Sequence, residues 1–173
     1  NNGVLMTPYY LDEIRTRDGK IIYQAPKSVG PKVLPANEAH IMSNILASVI
    51  NEGTGQRLRS TYGLQNEMAG KTGTTDNYTD VWMMLSTPSV TLGSWAGHDD
   101  NSAMSQNSGF INNAKFTANL VNAINAADPN IFGPGQKFTD PNSDPNVTKS
   151  KVLVSTGEKP GKVNVKLSNG KTQ

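Results

Sequence analysis

Met68-Ala69-Gly70-Lys71-Thr72-Gly73-Thr74-Thr75 is followed by a short polar loop, Asp76 to Asp80. The apolar run Val81-Trp82-Met83-Met84-Leu85-Ser86 comes next. Pro88-Ser89 turns the chain into Val90-Thr91-Leu92-Gly93-Ser94-Trp95-Ala96-Gly97. Three short runs joined by short loops predict an antiparallel meander. The unbroken apolar character of 81–85 predicts that its middle strand is covered on both faces.

Outward from this meander, the pattern changes period. Upstream, Ile41, Ile45, Leu46 and Val49 recur at helical spacing after Pro35-Ala36-Asn37, with Gly53 as a stop, so a helix is expected over 37–52. Before it, Asp18-Gly19 sits between apolar runs and predicts a hairpin over 11–24, because glycine supplies the positive φ of a tight turn. Downstream, Asn112-Asn113 reads as a helix cap. Phe116, Leu120, Val121 and Ile124 form the stripe, and Asp128-Pro129 ends it. The Gly-, Pro-, Asp- and Asn-rich stretch 131–148 reads as a linker, and the alternating runs 152–154 and 163–167 as strands starting a C-terminal extension over 149–173. The fold class expected is α/β (α+β): an antiparallel sheet flanked by helices, filling residues 1–130.

Composition narrows the function. The chain has 173 residues, enough for one domain or for a piece of a larger protein. Sixteen basic against 14 acidic residues leaves +2, which gives no electrostatic case for nucleic acid. The absence of cysteine removes disulfides and thiolate metal sites. No run reaches the roughly 18 apolar residues of a membrane span. The opening Asn1-Asn2-Gly3, with no initiator Met or signal peptide, suggests a fragment.

The densest candidate for chemistry is Gly70-Lys71-Thr72-Gly73-Thr74-Thr75. A phosphate loop would need Gly where Gln65 stands, and a helix starting at the Lys, yet Gly73 and two β-branched Thr follow it. The alternative is Lys-Thr-Gly on the edge strand of an active-serine acyl transferase. An edge strand leaves N–H and C=O groups free to pair with an extended peptide. Lys71 brings positive charge to the serine machinery and the substrate carboxylate. Thr72 and Thr74 offer hydroxyls from one strand face, Gly73 gives clearance, and the Thr74 amide can serve an oxyanion. Taken alone, the tripeptide also fits a solvated turn beside an edge strand.

Context decides between these. Ala69-Gly-Lys-Thr-Gly-Thr-Thr75, Asp80-Val-Trp82, Ser86-Thr-Pro88 and Gly93-Ser-Trp95-Ala-Gly97-His-Asp-Asp100 closely resemble the class A penicillin-binding proteins. The Asp18-Gly19-Lys20 segment, the helix before Gly53-Thr54-Gly55 and the helix over 116–126 fit the same family. The resemblance covers about residues 1–130 and implies the C-terminal half of a penicillin-binding/serine β-lactamase-like transpeptidase domain. It implies D,D-transpeptidation of peptidoglycan stem peptides through an acyl-serine, and acylation by β-lactams. Lys71 and Thr74 would be catalytic, and Thr72, Gly73, Thr74 and Thr75 would bind substrate. No cofactor or metal is implied. The parent would be membrane-anchored, act on the outer face of the bacterial cell membrane and also carry a glycosyltransferase.

The family's Ser-x-x-Lys and Ser-x-Asn elements are missing before residue 71. The one Ser-x-x-Lys, Ser168 to Lys171, lies in the polar tail and reads as a turn. The chain is therefore expected to hold one wall of a site whose nucleophile belongs to an upstream part of the same protein, and to be inactive alone. Two rivals are a serine β-lactamase-like hydrolase, against which the long tail argues, and a non-enzymatic wall-binding module. Other residues read as structural. His98-Asp99-Asp100 is a strand-end turn, His40 is satisfied or exposed on its helix, and Trp82 and Trp95 are core and sheet packing. Arg57, Arg59 and the tail lysines are solvated charge.

Overall fold

Asp18-Gly19 builds the first turn, as its chemistry demands. Gly19 takes φ +89°, its N–H donates to Thr16 O (2.9 Å), and Thr16 N–H donates to Lys20 O (2.8 Å). The turn joins β1 (Glu13–Arg15) to β2 (Ile21–Gln24) as an antiparallel pair. The computed structural model describes residues 1–26, 30–105, 108–132 and 135–151, so the strands expected at 152–154 and 163–167 lie outside the described residues. Asn1–Pro141 forms one unit and Asn142–Gln173 another. In the described part of the second, the Asp144 carboxylate accepts from the Asn146 N–H (2.8 Å) and closes a turn.

Within the first unit, α1 (Ala36–Asn51) and the short α2 (Arg57–Ser60) lead into β3 (Ala69–Thr74). The 3₁₀ turn Asp76–Tyr78 connects to β4 (Asp80–Ser86), then β5 (Thr91–Gly97) and α3 (Ser108–Ala127). The sheet order is β3-β4-β5, all antiparallel, which is the meander read from the sequence. Register is continuous from Ala69↔Ser86 to Thr74↔Val81.

One face of this sheet carries the core. Met83 and Leu85 pack with Ile50 and Leu58 from the α1–α2 side and Ala114, Ala118 and Val121 from α3. Burying a side chain of this size is worth about 1.5–3 kcal/mol, so the cluster docks both helices on the same side. Expected burial on both faces is not found. Burial alternates along β4: Val81, Met83 and Leu85 are buried, while Trp82 is 46% and Met84 43% exposed. Among the described residues the helices pack on one face only, and the period of two sends alternate side chains to the other. Trp82 and its cross-strand neighbour Trp95, 44% exposed, are accordingly surface residues and not core.

The helix stripes also differ from expectation. Ile41 and Ile45 are exposed, and Ile50, one turn beyond Leu46, is the buried residue of α1. Helix α3 begins at Ser108, so Asn113 is no cap. Its side chain is buried, and its Nδ2 donates to Val81 O (2.9 Å) and Ser94 O (3.2 Å) across the helix–sheet interface. Phe116 is exposed, because the buried stripe runs through Ala114, Thr117, Ala118 and Val121. Small residues there let the helix approach the sheet closely, and Thr117 Oγ1 meets Ser94 Oγ at 2.6 Å.

Candidate active site

Among the described residues strand β3 is the sheet's edge, paired only with β4. The Thr75 N–H donates to Asp80 O (3.1 Å), which makes 75 and 80 a hydrogen-bonded pair. In an antiparallel ladder such pairs alternate. With the register unbroken, the N–H and C=O of Thr72 and Thr74 turn to the open edge. The Lys71 ammonium also reaches that edge, where its Nζ donates to Thr72 O (2.7 Å).

Side chains divide by face. Thr72 lies opposite Met83 and Thr74 opposite Val81, on the helix-covered side. Lys71 lies opposite Met84 and Gly73 opposite Trp82, on the exposed side. Thr72 and Thr74 thus share a face, as expected from their spacing, and Lys71 comes to the edge from the other. A Cβ on Gly73 would stand 3.5 Å from Trp82 Cβ, an ordinary contact. Gly70 is the tighter position: its Cβ would run into the Met84 carbonyl and lie 2.8 Å from Leu85 Cδ2.

A cleft of about 350 Å³ opens on the helix-covered side of the edge. Thr54, Thr72, Thr74 and Ser105 supply its polar lining, and Val81, Phe110 and Tyr78 an apolar one. Thr54 Oγ1 and Thr72 Oγ1 hydrogen-bond at 2.8 Å, so the loop after α1 is tied to the strand. A larger hollow, about 450 Å³, lies at the opposite end of the sheet around residues 86–91. Hydroxyls there serve backbone carbonyls, Ser43 that of Ala39 and Ser89 that of Ile131. The groups suited to substrate stand at the β3 edge.

Thr75 faces into the turn that ends β3. Its Oγ1 accepts from the Asp80 N–H (2.9 Å) and meets Thr79 Oγ1 (2.9 Å). Asp80 is a residue that sequence reasoning passed over, although it opens the quoted Asp80-Val-Trp82. Its Oδ1 accepts from Trp95 Nε1 (2.9 Å) and its Oδ2 from Thr79 Oγ1 (3.0 Å). Those bonds, led by the indole, hold its carboxyl below the usual carboxylate range. Arg59 is also more than solvated charge: its Nη1 donates to Leu64 O (2.8 Å) and Asn66 O (2.6 Å). Partial burial lowers its pKa, with Glu67 opposing. The His98–Asp100 turn follows β5 as expected, with His98 O accepting from Asn101 N–H (3.0 Å) and Asp100 from Ser102 N–H (3.0 Å). His40 is satisfied by Asn2 Oδ1 at 2.9 Å. Among the described residues no group of three or more His, Asp or Glu is placed to hold a metal ion. None of the described helices is long and apolar enough to cross a membrane.

Residues 1–101, more than half of the chain, match the family described as the penicillin binding protein transpeptidase domain. The chain belongs to that family. Penicillin-binding protein 1A of Aquifex aeolicus is 31% identical over 99 residues, covering 57% of this chain and 13% of its own length. Penicillin-binding protein 1B of Escherichia coli is 34% identical over 92 residues, covering 53% and 10%. The chain therefore spans only 10–13% of these relatives. Within the family it matches the C-terminal part of the transpeptidase domain of class A penicillin-binding proteins. The fold agrees with that of penicillin-binding protein 1A from Haemophilus influenzae, at a TM-score of 0.68 and 18% identity over 99% of this chain and 29% of that one. The D,D-transpeptidase domain of a peptidoglycan glycosyltransferase from Eggerthella lenta gives 0.54 at 22% identity, over 75% and 30%.

Proposed function

We propose that the Lys71–Thr74 edge is one wall of a D,D-transpeptidase site whose nucleophilic serine lies on polypeptide outside these 173 residues. The observation that carries this reading is the open edge itself, with Lys71 Nζ at Thr72 O and the Thr74 amide unpaired by β4. A stem peptide pairs with the edge as an added strand, and its terminal carboxylate meets Lys71 and the Thr72 and Thr74 hydroxyls. Thr75 supports the same carboxylate subsite from the end of the strand.

In the reaction the serine oxygen bonds to the penultimate D-Ala carbonyl carbon while its proton passes to the departing D-Ala nitrogen. The carbonyl oxygen gains negative charge in the tetrahedral intermediate, and the Thr74 N–H stabilises it; removing one such donor costs about 10²–10³ in rate. An amine of a neighbouring stem peptide then attacks the ester, and the serine leaves with a proton. The chemistry as written uses no cofactor. Penicillins acylate the same serine by opening the lactam C–N bond and remain attached. The parent protein works on the outer face of the cell membrane, with residues 149–173 as the start of a further extension.

The test is covalent labelling with a fluorescent penicillin, read on a denaturing gel, of this chain alone and mixed with the upstream segment of its parent. Label on the upstream chain alone is the expected result. Label on the 173-residue chain would place a nucleophile within it, with Ser168 the first to test. No label in either, with a control enzyme labelled, favours a wall-binding module.

A further inference from the structure

Strand β3 ends at Thr74, and the turn that follows is conformationally costly. Asn77 (φ +58°) and Tyr78 (φ +57°) both sit in the left-handed region that side chains rarely adopt. Such residues persist only where their surroundings fix them. Tyr78 N–H donates to Thr75 O (3.1 Å) and Tyr78 O accepts from Met104 N–H (3.1 Å), while hydrogen bonds from the turn's two flanks, Thr75 and Thr79, converge on the Asp80 side chain. The geometry points to Asp80 as a positioning residue of the proposed site, holding through Thr75 and Trp95 the strand end that presents Thr74.

The connections run both ways from Asp80. Toward the site, Asp80 and Thr75 are joined by two backbone-anchored bonds: Thr75 N–H to Asp80 O (3.1 Å) and Asp80 N–H to Thr75 Oγ1 (2.9 Å). The Thr75 hydroxyl also lies 3.3 Å from Asp80 Oδ2. Thr79 Oγ1 donates to the same oxygen at 3.0 Å, so both ends of the turn are gathered on it. Away from the site, Asp80 Oδ1 accepts from Trp95 Nε1 (2.9 Å), which fastens the turn to β5, the strand on which α3 docks. The turn is thereby fixed to the rigid part of the sheet and not only to itself.

The indole reaches Asp80 because of a glycine. Asp80 pairs with Gly97, and Trp95 lies two residues back on β5, so its ring must cross the Gly97 position diagonally. A Cβ at Gly97 would fall on the Trp95 ring at Cζ2, and also 2.9 Å from Thr79 O. Gly97, Trp95 and Asp80 form one device spanning two strands. Thr74 needs it, because a donor serving an oxyanion works only when it stands within hydrogen-bond distance of where the charge develops.

The inference rests on the transpeptidase reading of the edge, and the experiment separates the two. In the full-length protein, the time course of acylation by a fluorescent penicillin is resolved into the affinity of the first complex and the acylation rate constant. Asp80→Asn, Trp95→Phe and Gly97→Ala are compared with the unsubstituted protein, each with its melting temperature. Each is expected to slow the acylation step about tenfold, less than outright loss of an oxyanion donor, with the first-complex affinity changed by less than about twofold. Asp80→Asn combined with Trp95→Phe should be no slower than the slower single variant, since both break the same link. A Trp95→Phe rate equal to that of the unsubstituted protein overturns the inference, as does a double variant slowed by the product of the singles. Should Asp80→Asn fail to fold, Trp95→Phe and Gly97→Ala, which keep the carboxylate, decide it. An unsubstituted protein that takes no label overturns the transpeptidase reading and this one together; normal labelling with unaltered variants overturns this one alone.

Discussion

Thr117 Oγ1 and Ser94 Oγ meet at 2.6 Å, and both residues are at most 4% exposed. Thr117 also donates to Asn113 O at 2.8 Å, one turn back in α3. Ser94 therefore depends on Thr117 for its buried hydroxyl, whereas Thr117 has a second partner. Replacing Thr117 with Val keeps the shape and removes the oxygen. The lost hydrogen bond costs about 1 kcal/mol and the stranded Ser94 hydroxyl about 1–3 more, so about 2–4 kcal/mol in total. Ser94→Ala strands nothing and should cost about 1 kcal/mol. The double variant leaves no orphan and should also cost about 1 kcal/mol, well short of the sum of the singles, with a coupling of about 2–4 kcal/mol. At this chain length each kcal/mol moves Tm by roughly 2–4 °C. Thermal and urea unfolding of the four proteins measures the cycle. A double variant that loses as much as the two singles added together refutes the argument, because the hydroxyls would then be acting separately, and α3 would not be held to β5 by this bond.

Three further outcomes follow from the same structure. Gly70→Ala places a Cβ against the Met84 carbonyl, a backbone atom that cannot swing aside, so overpacking of about 1–3 kcal/mol is expected; a Tm unchanged within error would show that β3 sits farther from β4. Arg59→Lys keeps the charge but not the fork that reaches Leu64 O and Asn66 O, and should destabilise by about 1–2 kcal/mol in urea unfolding. The Asp80 carboxyl is held below its ordinary pKa by Trp95, Thr79 and Thr75. Its contribution to stability is therefore present above the unfolded carboxylate pKa and lost as pH falls through the lower folded value. Asp80→Asn should be less stable than the unsubstituted chain at neutral pH, with the gap closing in acid; a gap constant from pH 7 to about pH 2 would contradict this linkage.

Much of the fold was legible because local chemistry and tertiary need coincide. Asp18-Gly19 makes its turn, Gly53 follows the end of α1, and the apolar runs after Lys71 become β4 and β5. Misreadings arose where a residue's type pointed one way and its neighbours another. Asn113 is polar and reads as a cap, yet it is buried because sheet carbonyls accept its amide. Trp82 and Trp95 are large and apolar and read as core, yet β-strand alternation sends them to the face without helices. At the site, the Thr72–Thr74 spacing gave the shared face correctly. Lys71 arriving from the opposite face, and Asp80 anchoring the turn through an indole on β5, depend on contacts between strands. The pairing of Asp80 with Gly97 was the one sequence signal that could have found the anchor, and it acquires meaning only once the register is known.

In the proposed site Lys71 brings its charge to the β3 edge. The most direct test of this is the rate of penicillin acylation of the full-length protein with Lys71→Gln, alongside its Tm. Lys71 is exposed and, among the described residues, its ammonium donates only to the neighbouring Thr72 carbonyl, so the fold should survive the change. A Tm within about 2 °C is expected, with acylation slowed by about 10²-fold, comparable to loss of one electrostatic group aimed at the developing charge. A variant that acylates at the unsubstituted rate would contradict it.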